Sequence, residues 1–226
     1  MTSGSRDQSG SDAGAAPRLA LAALLRGRLR GAGAADQLAA LDRLDPRDVT
    51  ASAPSADPGG LPVLAHLEEA VALAREGLDH DDGEALAAVA GSVSWVQTEA
   101  YRQDPPNANF LDGYAHATFL GPTDGGQGPT SAAAATGLLL LAPGVVYPHH
   151  AHPADEVYLP LTEARWSHGA GAPFEVASVG TALRHRPWQP HAMITDARPL
   201  LALYLWTGAV TVPATWTRWD SPAEAP

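Results

Sequence analysis

The stretch "GVVYPHHAHPADEVYLP" (residues 144–160) crowds three histidines, two acids and two tyrosines into positions 147–158. Strand side chains alternate between faces, so residues two apart share a face. His150 and His152 therefore point one way, and His149 points the other, behind the first two or at the surface. Pro153 bends the chain. Beyond the bend Glu156 and Tyr158 again share a face, while Val157, Leu159 and Leu161 take the opposite one and read as core. A polar face turned into a barrel costs free energy unless something satisfies it. A metal ion satisfies two imidazoles and a carboxylate at once. The donors expected here are His150, His152 and Glu156, with His191 of "WQPHAMI" (188–194) as the fourth. His168 and His185 sit near loops and read as surface residues.

Outward from this stretch, the C-terminal half is built of short runs separated by Gly and Pro. They are "TGLLLLAP" (136–143), "DEVYLPL" (155–161), "ARWSHG" (164–169), "FEVASVG" (174–180), "HAMITD" (191–196) and "PLLALYLWTG" (199–208). Such spacing reads as an antiparallel sandwich or small barrel. The N-terminal half differs. Leu64, Leu67, Val71, Ala74 and Leu78 recur at helical spacing, predicting a helix over 62–78. Leu86, Val89, Val93, Val96 and Ala100 predict a second over 84–101, after a capping box from Asp81 to Glu84. Their apolar stripes are expected to pack on the barrel and help close its mouth. "RLALAALLRGRLR" (18–30) reads as a surface helix and not a signal peptide, since Asp7 and Asp12 precede it and arginines follow at once. Residues 45–62 and 121–131 are loop and turn material by their Pro, Gly and Ser content. The expected organisation is a disordered tail over 1–16, a helical region over 17–103 and a β-domain over 104–220.

With 45% apolar residues in 226, the chain can bury a real core. It has no cysteine, which excludes disulfides, thiolate nucleophiles, iron–sulfur clusters and zinc fingers. A formal charge of −11, with arginine but no lysine, argues against nucleic acid as a partner and favours a neutral or cationic small molecule. No apolar run approaches the roughly 20 residues that span a bilayer, so no membrane partner and a cytoplasmic location are expected. The Ala-, Gly-, Pro- and Arg-rich usage reads as bacterial. A homodimer is left open.

The central stretch resembles the first motif of the cupin family. Gly144 is followed after five residues by His150, then His152 and, after three more, Glu156. The glycine that closes this motif is replaced by Glu163. The second motif is looser: Gly180, Pro187 and His191 are present, Gln189 stands where a glycine is usual, and the spacing is one residue short. The resemblance covers about 112–212 and implies an α+β chain, a helical N-terminal region followed by a cupin β-barrel, the antiparallel jelly roll.

Two further features narrow the chemistry. Tyr147 and Tyr158 bracket the motif, and "LLALYLWTG" puts Tyr204 and Trp206 on one strand face, with Leu201, Leu203 and Leu205 on the other. Trp188 is expected to add to an aromatic lining, whereas Trp166 reads as core. The set Tyr147, His150, His152, Glu156, Tyr158, His191, Tyr204 and Trp206 is similar to that of the cupin-type dimethylsulfoniopropionate lyases. The resemblance implies a carbon–sulfur lyase that cleaves this sulfonium carboxylate to dimethyl sulfide and acrylate. Elimination needs a base for the weakly acidic proton beside the carboxylate. Tyr158 is read as that base and Tyr147 as the second choice or a hydrogen-bond partner, because a nearby divalent cation lowers a phenol's pKa. Trp206 and Tyr204 are read as cation–π partners of the sulfonium, with Trp188 as a further substrate-binding residue. The donor set suits one divalent transition metal ion, whether zinc, iron, manganese, nickel or cobalt. An iron-dependent cupin dioxygenase and a non-enzymatic metal-dependent sensor are the alternatives. The first has no need of paired tyrosines, and the second is weakened by the absence of cysteine.

Overall fold

The computed structural model describes residues 15–32, 34–44, 60–121 and 134–217. The tail expected over 1–16 lies outside them except for its last two residues, which begin the first helix. The expected loops at 45–62 and 121–131 also lie outside them, apart from 60–62 and Gly121. The helices are α1 (Ala15–Gly31), α2 (Ala35–Leu41), α3 (Leu67–Arg75, preceded by a 3-10 turn over Pro62–His66), α4 (His80–Ser92) and α5 (Glu99–Gln103). The strands are β1 (Tyr114–Leu120), β2 (Ala134–Leu141), β3 (Val146–Ala151), β4 (Asp155–Pro160), β5 (Arg165–Ser167), β6 (Glu175–Val176), β7 (Leu183–His185), β8 (His191–Ile194), β9 (Leu200–Thr207) and β10 (Thr215–Trp216). They form two antiparallel sheets, β1-β2-β9-β4-β7 and β10-β3-β8-β5-β6. This is the cupin jelly roll.

The first sheet is buried on both faces, which is why β2 reads as a nearly continuous apolar run. Its outward residues Ala115, Ala117, Phe119, Leu138, Leu140, Val157, Leu159, Leu201, Leu203 and Leu205 share one core with the helices. Leu21, Leu25 and Leu29 recur every fourth residue of α1 and supply its buried stripe, with Leu86 and Val89 of α4 beside them. Its inward residues Tyr114, Leu139, Leu141, Tyr158, Leu200, Ala202 and Tyr204 belong to a second, aromatic-rich core with Tyr101, Phe110, Tyr147 and Trp166. The apolar stripes of the helices are thus spent on the outer face of the sheet, not on the barrel's rim.

Two local expectations shift. The cap of α4 is Asp79, whose side chain accepts from the Asp82 N–H at 2.9 Å, two residues before the box expected at Asp81. The predicted helix over 84–101 also stops at Ser92. Ser92, Val93, Ser94, Val96 and Thr98 are poor helix formers, and the Ser92 hydroxyl donates back to the Val89 carbonyl. Val96 then pairs with His116 through backbone bonds of 2.8 and 2.9 Å, covering the edge of β1. Only after Thr98 does the short α5 begin. That strand-like step carries α5 to the mouth of the barrel, where the longer helices do not reach.

Candidate metal centre and cavity

His150 ends the inward run of β3, His152 sits in the bend after it, Glu156 is on β4 and His191 opens β8. The β3–β8 register slips between Tyr147 and His150, and His150 faces His191 across the pair. All four residues are essentially inaccessible to solvent. Ligand atoms of His152, Glu156 and His191 lie within 4.8 Å of one another. Glu156 Oε2 is 2.8 Å from His152 Nε2 and 3.0 Å from His191 Nε2. The fourth expected donor, His150, stands beside this trio with its ring 4.1 Å edge-on from that of His191.

Backbone carbonyls settle the imidazole tautomers. His150 Nδ1 donates to Pro148 O at 2.9 Å, His152 Nδ1 to Ala154 O at 3.0 Å, and His191 Nδ1 to Gln189 O at 2.9 Å. A carbonyl only accepts, so each Nδ1 carries a proton, and a ring in its neutral form keeps its lone pair at Nε2. His191 Nε2 is buried and has no hydrogen bond. Two such lone pairs facing one carboxylate oxygen repel unless a cation lies between them. The donors therefore fit a metal ion, with the Nδ1 bonds fixing ring orientation as they do in metal sites generally.

Burial pushes His150 well below the ordinary histidine range. Burial pushes the Glu156 carboxyl up, but the neighbouring His152 and His191 hold it well below the usual carboxylate range. The Trp206 indole N–H donates to the other carboxylate oxygen, Oε1, at 2.5 Å. Tyr158 is pushed well above its ordinary value, first by burial and then by the charge of Glu156 and a hydrogen bond to it. Tyr147 moves the same way, by burial and then by Tyr101 and Tyr114.

A cavity opens beside Glu156. All five of the chain's tyrosines line it: Tyr101, Tyr114, Tyr147, Tyr158 and Tyr204. Their hydroxyls are anchored. Tyr147 donates to the Tyr101 oxygen at 2.9 Å, Tyr114 and Thr98 are 2.8 Å apart, and Tyr204 and Thr118 are 2.7 Å apart. The strand register places Thr118, Gly137, Tyr204 and Tyr158 in one row across four strands. An added Cβ on Gly137 would lie 2.5 Å from the Tyr204 phenol, so the glycine makes room for that ring.

Of the residues expected from sequence to meet the substrate, Tyr147, Tyr158, Tyr204 and Trp206 line the cavity. Trp188 does not. It is 58% exposed, at a turn with φ 61°. Its backbone N–H, not its indole, serves the site, by donating to His152 O at 2.7 Å. His185 is also misplaced by the surface reading. It is fully buried, with its ring stacked 4.1 Å from that of His191, and its Nε2 is 2.9 Å from Nδ1 of the exposed His168. Sequence reasoning missed Tyr101, Tyr114, His116 and Thr118. The last three alternate with Ala115 and Ala117 at period two, a signal that was available. Tyr101 carried none.

A family model for dimethylsulfoniopropionate lyases matches residues 39–202. The chain belongs to the dimethylsulfoniopropionate lyase family. Within that family it is 35% identical over 151 residues to a putative dimethylsulfoniopropionate lyase, DddL, of Cereibacter sphaeroides, covering 66% of this chain and 60% of that protein. It is 31% identical over 125 residues to the dimethylsulfoniopropionate lyase DddQ of Ruegeria pomeroyi, covering 55% and 60%. The match thus spans 60% of the length of each of these two relatives. The crystal structure of the lyase DddQ from Ruegeria pomeroyi superposes with a TM-score of 0.68 at 24% identity, covering 93% of this chain and 99% of that one. A structure from work on the lyases RdDddP and RnDddQII gives 0.57 at 23% identity, covering 89% and 100%. These two share the fold. Among the described residues no helix is long and apolar enough to cross a membrane.

Proposed function

We propose that this chain is a metal-dependent carbon–sulfur lyase that cleaves dimethylsulfoniopropionate to dimethyl sulfide and acrylate by base-catalysed β-elimination. The observation that carries the reading is the gathering of all five tyrosines around one cavity whose wall includes the Glu156 carboxylate of the donor cluster. Family membership supports the substrate class.

His152, Glu156 and His191 would hold the ion, with His150 as the fourth donor. When bound, a divalent transition ion supplies positive charge that stabilises the charge developing on the substrate carboxylate and lowers the pKa of a neighbouring phenol. Imidazole and carboxylate donors suit zinc, iron, manganese, nickel or cobalt.

The chain's own groups do the rest. The sulfonium has no N–H or O–H to donate, so the aromatic rings of Trp206, Tyr204, Tyr101 and Tyr114 are its natural partners. Tyr158, beside Glu156 in the cavity wall, takes the proton from the carbon beside the carboxylate. The C–H electron pair becomes the new C=C bond, and the C–S pair leaves with sulfur. Dimethyl sulfide departs neutral, so no acid is needed at the leaving group. Tyr147, tied to Tyr101, holds the substrate against the base. Gas-phase detection of dimethyl sulfide from purified protein and substrate, with and without a chelator, tests the reading. Release that a chelator abolishes supports it, and no release by the metal-loaded protein refutes it.

A further inference from the structure

Glu156 offers two carboxylate oxygens, and they have different surroundings. Oε2 faces the lone pairs of His152 and His191 at 2.8 and 3.0 Å. Oε1 accepts the Trp206 indole N–H at 2.5 Å. The strand register makes this contact possible, because Trp206 stands directly across from Glu156 in the β4–β9 pair. The indole also lies over a second donor, its ring 4.2 Å from that of His152 at a tilt of 31°. An indole N–H can donate but has no lone pair to offer a metal, so it can hold a ligand oxygen without competing as a ligand.

We infer that Trp206 is a positioning residue of the metal centre: its N–H occupies Oε1 of Glu156, so that the carboxylate presents only Oε2 to the ion. This rests on the metal-centre reading above. It is a different task from cation–π contact with a sulfonium, which uses the ring face and needs no N–H. The two tasks separate in one substitution. Trp206→Phe keeps an aromatic face and removes the donor. Trp206→Gln removes the aromatic face and keeps an N–H donor.

The test uses the full chain, stripped of metal and titrated with Co²⁺. Affinity is read by chelator competition, and the carboxylate's binding mode by the visible absorption of the bound ion. Loss of an outer partner of a ligand typically weakens metal binding about 10- to 100-fold, and that loss is expected for Trp206→Phe, together with a changed visible spectrum as Oε1 becomes free to bind. Trp206→Gln is expected to stay closer to wild type in both. Wild-type affinity and spectrum in Trp206→Phe overturn the inference. So do equal losses in the two variants, which assign the effect to ring packing. Should Trp206→Phe not fold, Trp206→Gln decides alone: affinity within tenfold of wild type supports the N–H, and a greater loss overturns it. Failure of the wild-type chain to bind Co²⁺ refutes the metal-centre reading, and the inference falls with it.

Discussion

Tyr158→Phe separates catalyst from ligand. Tyr158 is 5% exposed, and its ring packs 5.1 Å from Trp166. Phenylalanine keeps that packing and removes one oxygen. In the fold, the change takes the Tyr158 hydroxyl from Glu156, which retains the bond from the Trp206 indole. A hydrogen bond to a charged group contributes about 1.5–3 kcal/mol, and relief of the buried hydroxyl offsets part of it, so the variant should fold. The trio His152, Glu156 and His191 is untouched, so metal content should stay near that of wild type.

The chemical step should fare otherwise. A positioned general base contributes about 10²- to 10⁴-fold, or roughly 2.7–5.4 kcal/mol of barrier at 1.36 kcal/mol per decade. We expect kcat to fall at least about a hundredfold with KM little changed, the pattern of an interaction made in the transition state. The assay is dimethyl sulfide release by headspace gas chromatography, paired with metal analysis of the same sample. Tyr147→Phe is the comparison. It loses only the bond to Tyr101, and a smaller loss, mainly in KM, is expected. If Tyr158→Phe retains most of its kcat while Tyr147→Phe is inactive, the assignment of the base is refuted and the two tyrosines exchange roles. If both retain activity, no phenol is the base.

Four other outcomes follow from the same geometry. His152→Ala removes a donor and leaves Glu156 without an imidazole at 2.8 Å; metal analysis should show marked loss of bound ion, and full occupancy would count against the site. Gly137→Ala would put a methyl 2.1 Å from the Ala117 carbonyl and 2.5 Å from the Tyr204 phenol, and overpacking of this kind costs about 1–3 kcal/mol, readable as a lower midpoint in urea unfolding. Leu203 and Tyr204 are neighbours on opposite faces of β9, so Leu203→Ala should lower stability by about 2–5 kcal/mol with kcat per folded molecule unchanged, whereas Tyr204→Phe, losing one bond to Thr118, should cost about 1 kcal/mol of stability and raise KM.

The legible parts of this molecule were the local ones. His150, His152, Glu156 and Tyr158 lie within nine residues, and strand alternation was enough to assign their faces. The two faces of β9 were readable for the same reason. His191 needed motif spacing, since nothing local joins β8 to β4. The cap of α4 was misread because Asp79, Asp81 and Asp82 are all competent caps, and sequence alone does not choose among them. Helix periodicity ran on past Ser92 because Val93 and Val96 kept the spacing while their β-branched side chains and the pairing with His116 ended the helix. Trp188 was not placed by any local pattern, since it sits at a left-handed turn that leaves its ring exposed.

What sequence could not place has a common physical cause, and it bears on what the helical half is for. The outer face of the first sheet needs the helical half, with α2 and α3 against β9, to cover Leu201, Leu203 and Leu205, and that burial explains why these helices are there. It does not explain why the chain then breaks helix at Ser92, pairs Val96 with β1 and starts a five-residue helix. A helix that short gains little from its own hydrogen bonds. Its position does have a chemical consequence. The Thr98 hydroxyl, free of any capping bond, meets Tyr114, and Tyr101 receives the Tyr147 hydroxyl and stacks 4.1 Å from Trp216. The step from α4 through Val96 to α5 therefore lets a helical segment finish a cavity that the barrel leaves open on that side. Long-range closure of this kind depends on where a whole sheet edge ends up, which no local pattern around Tyr101 records.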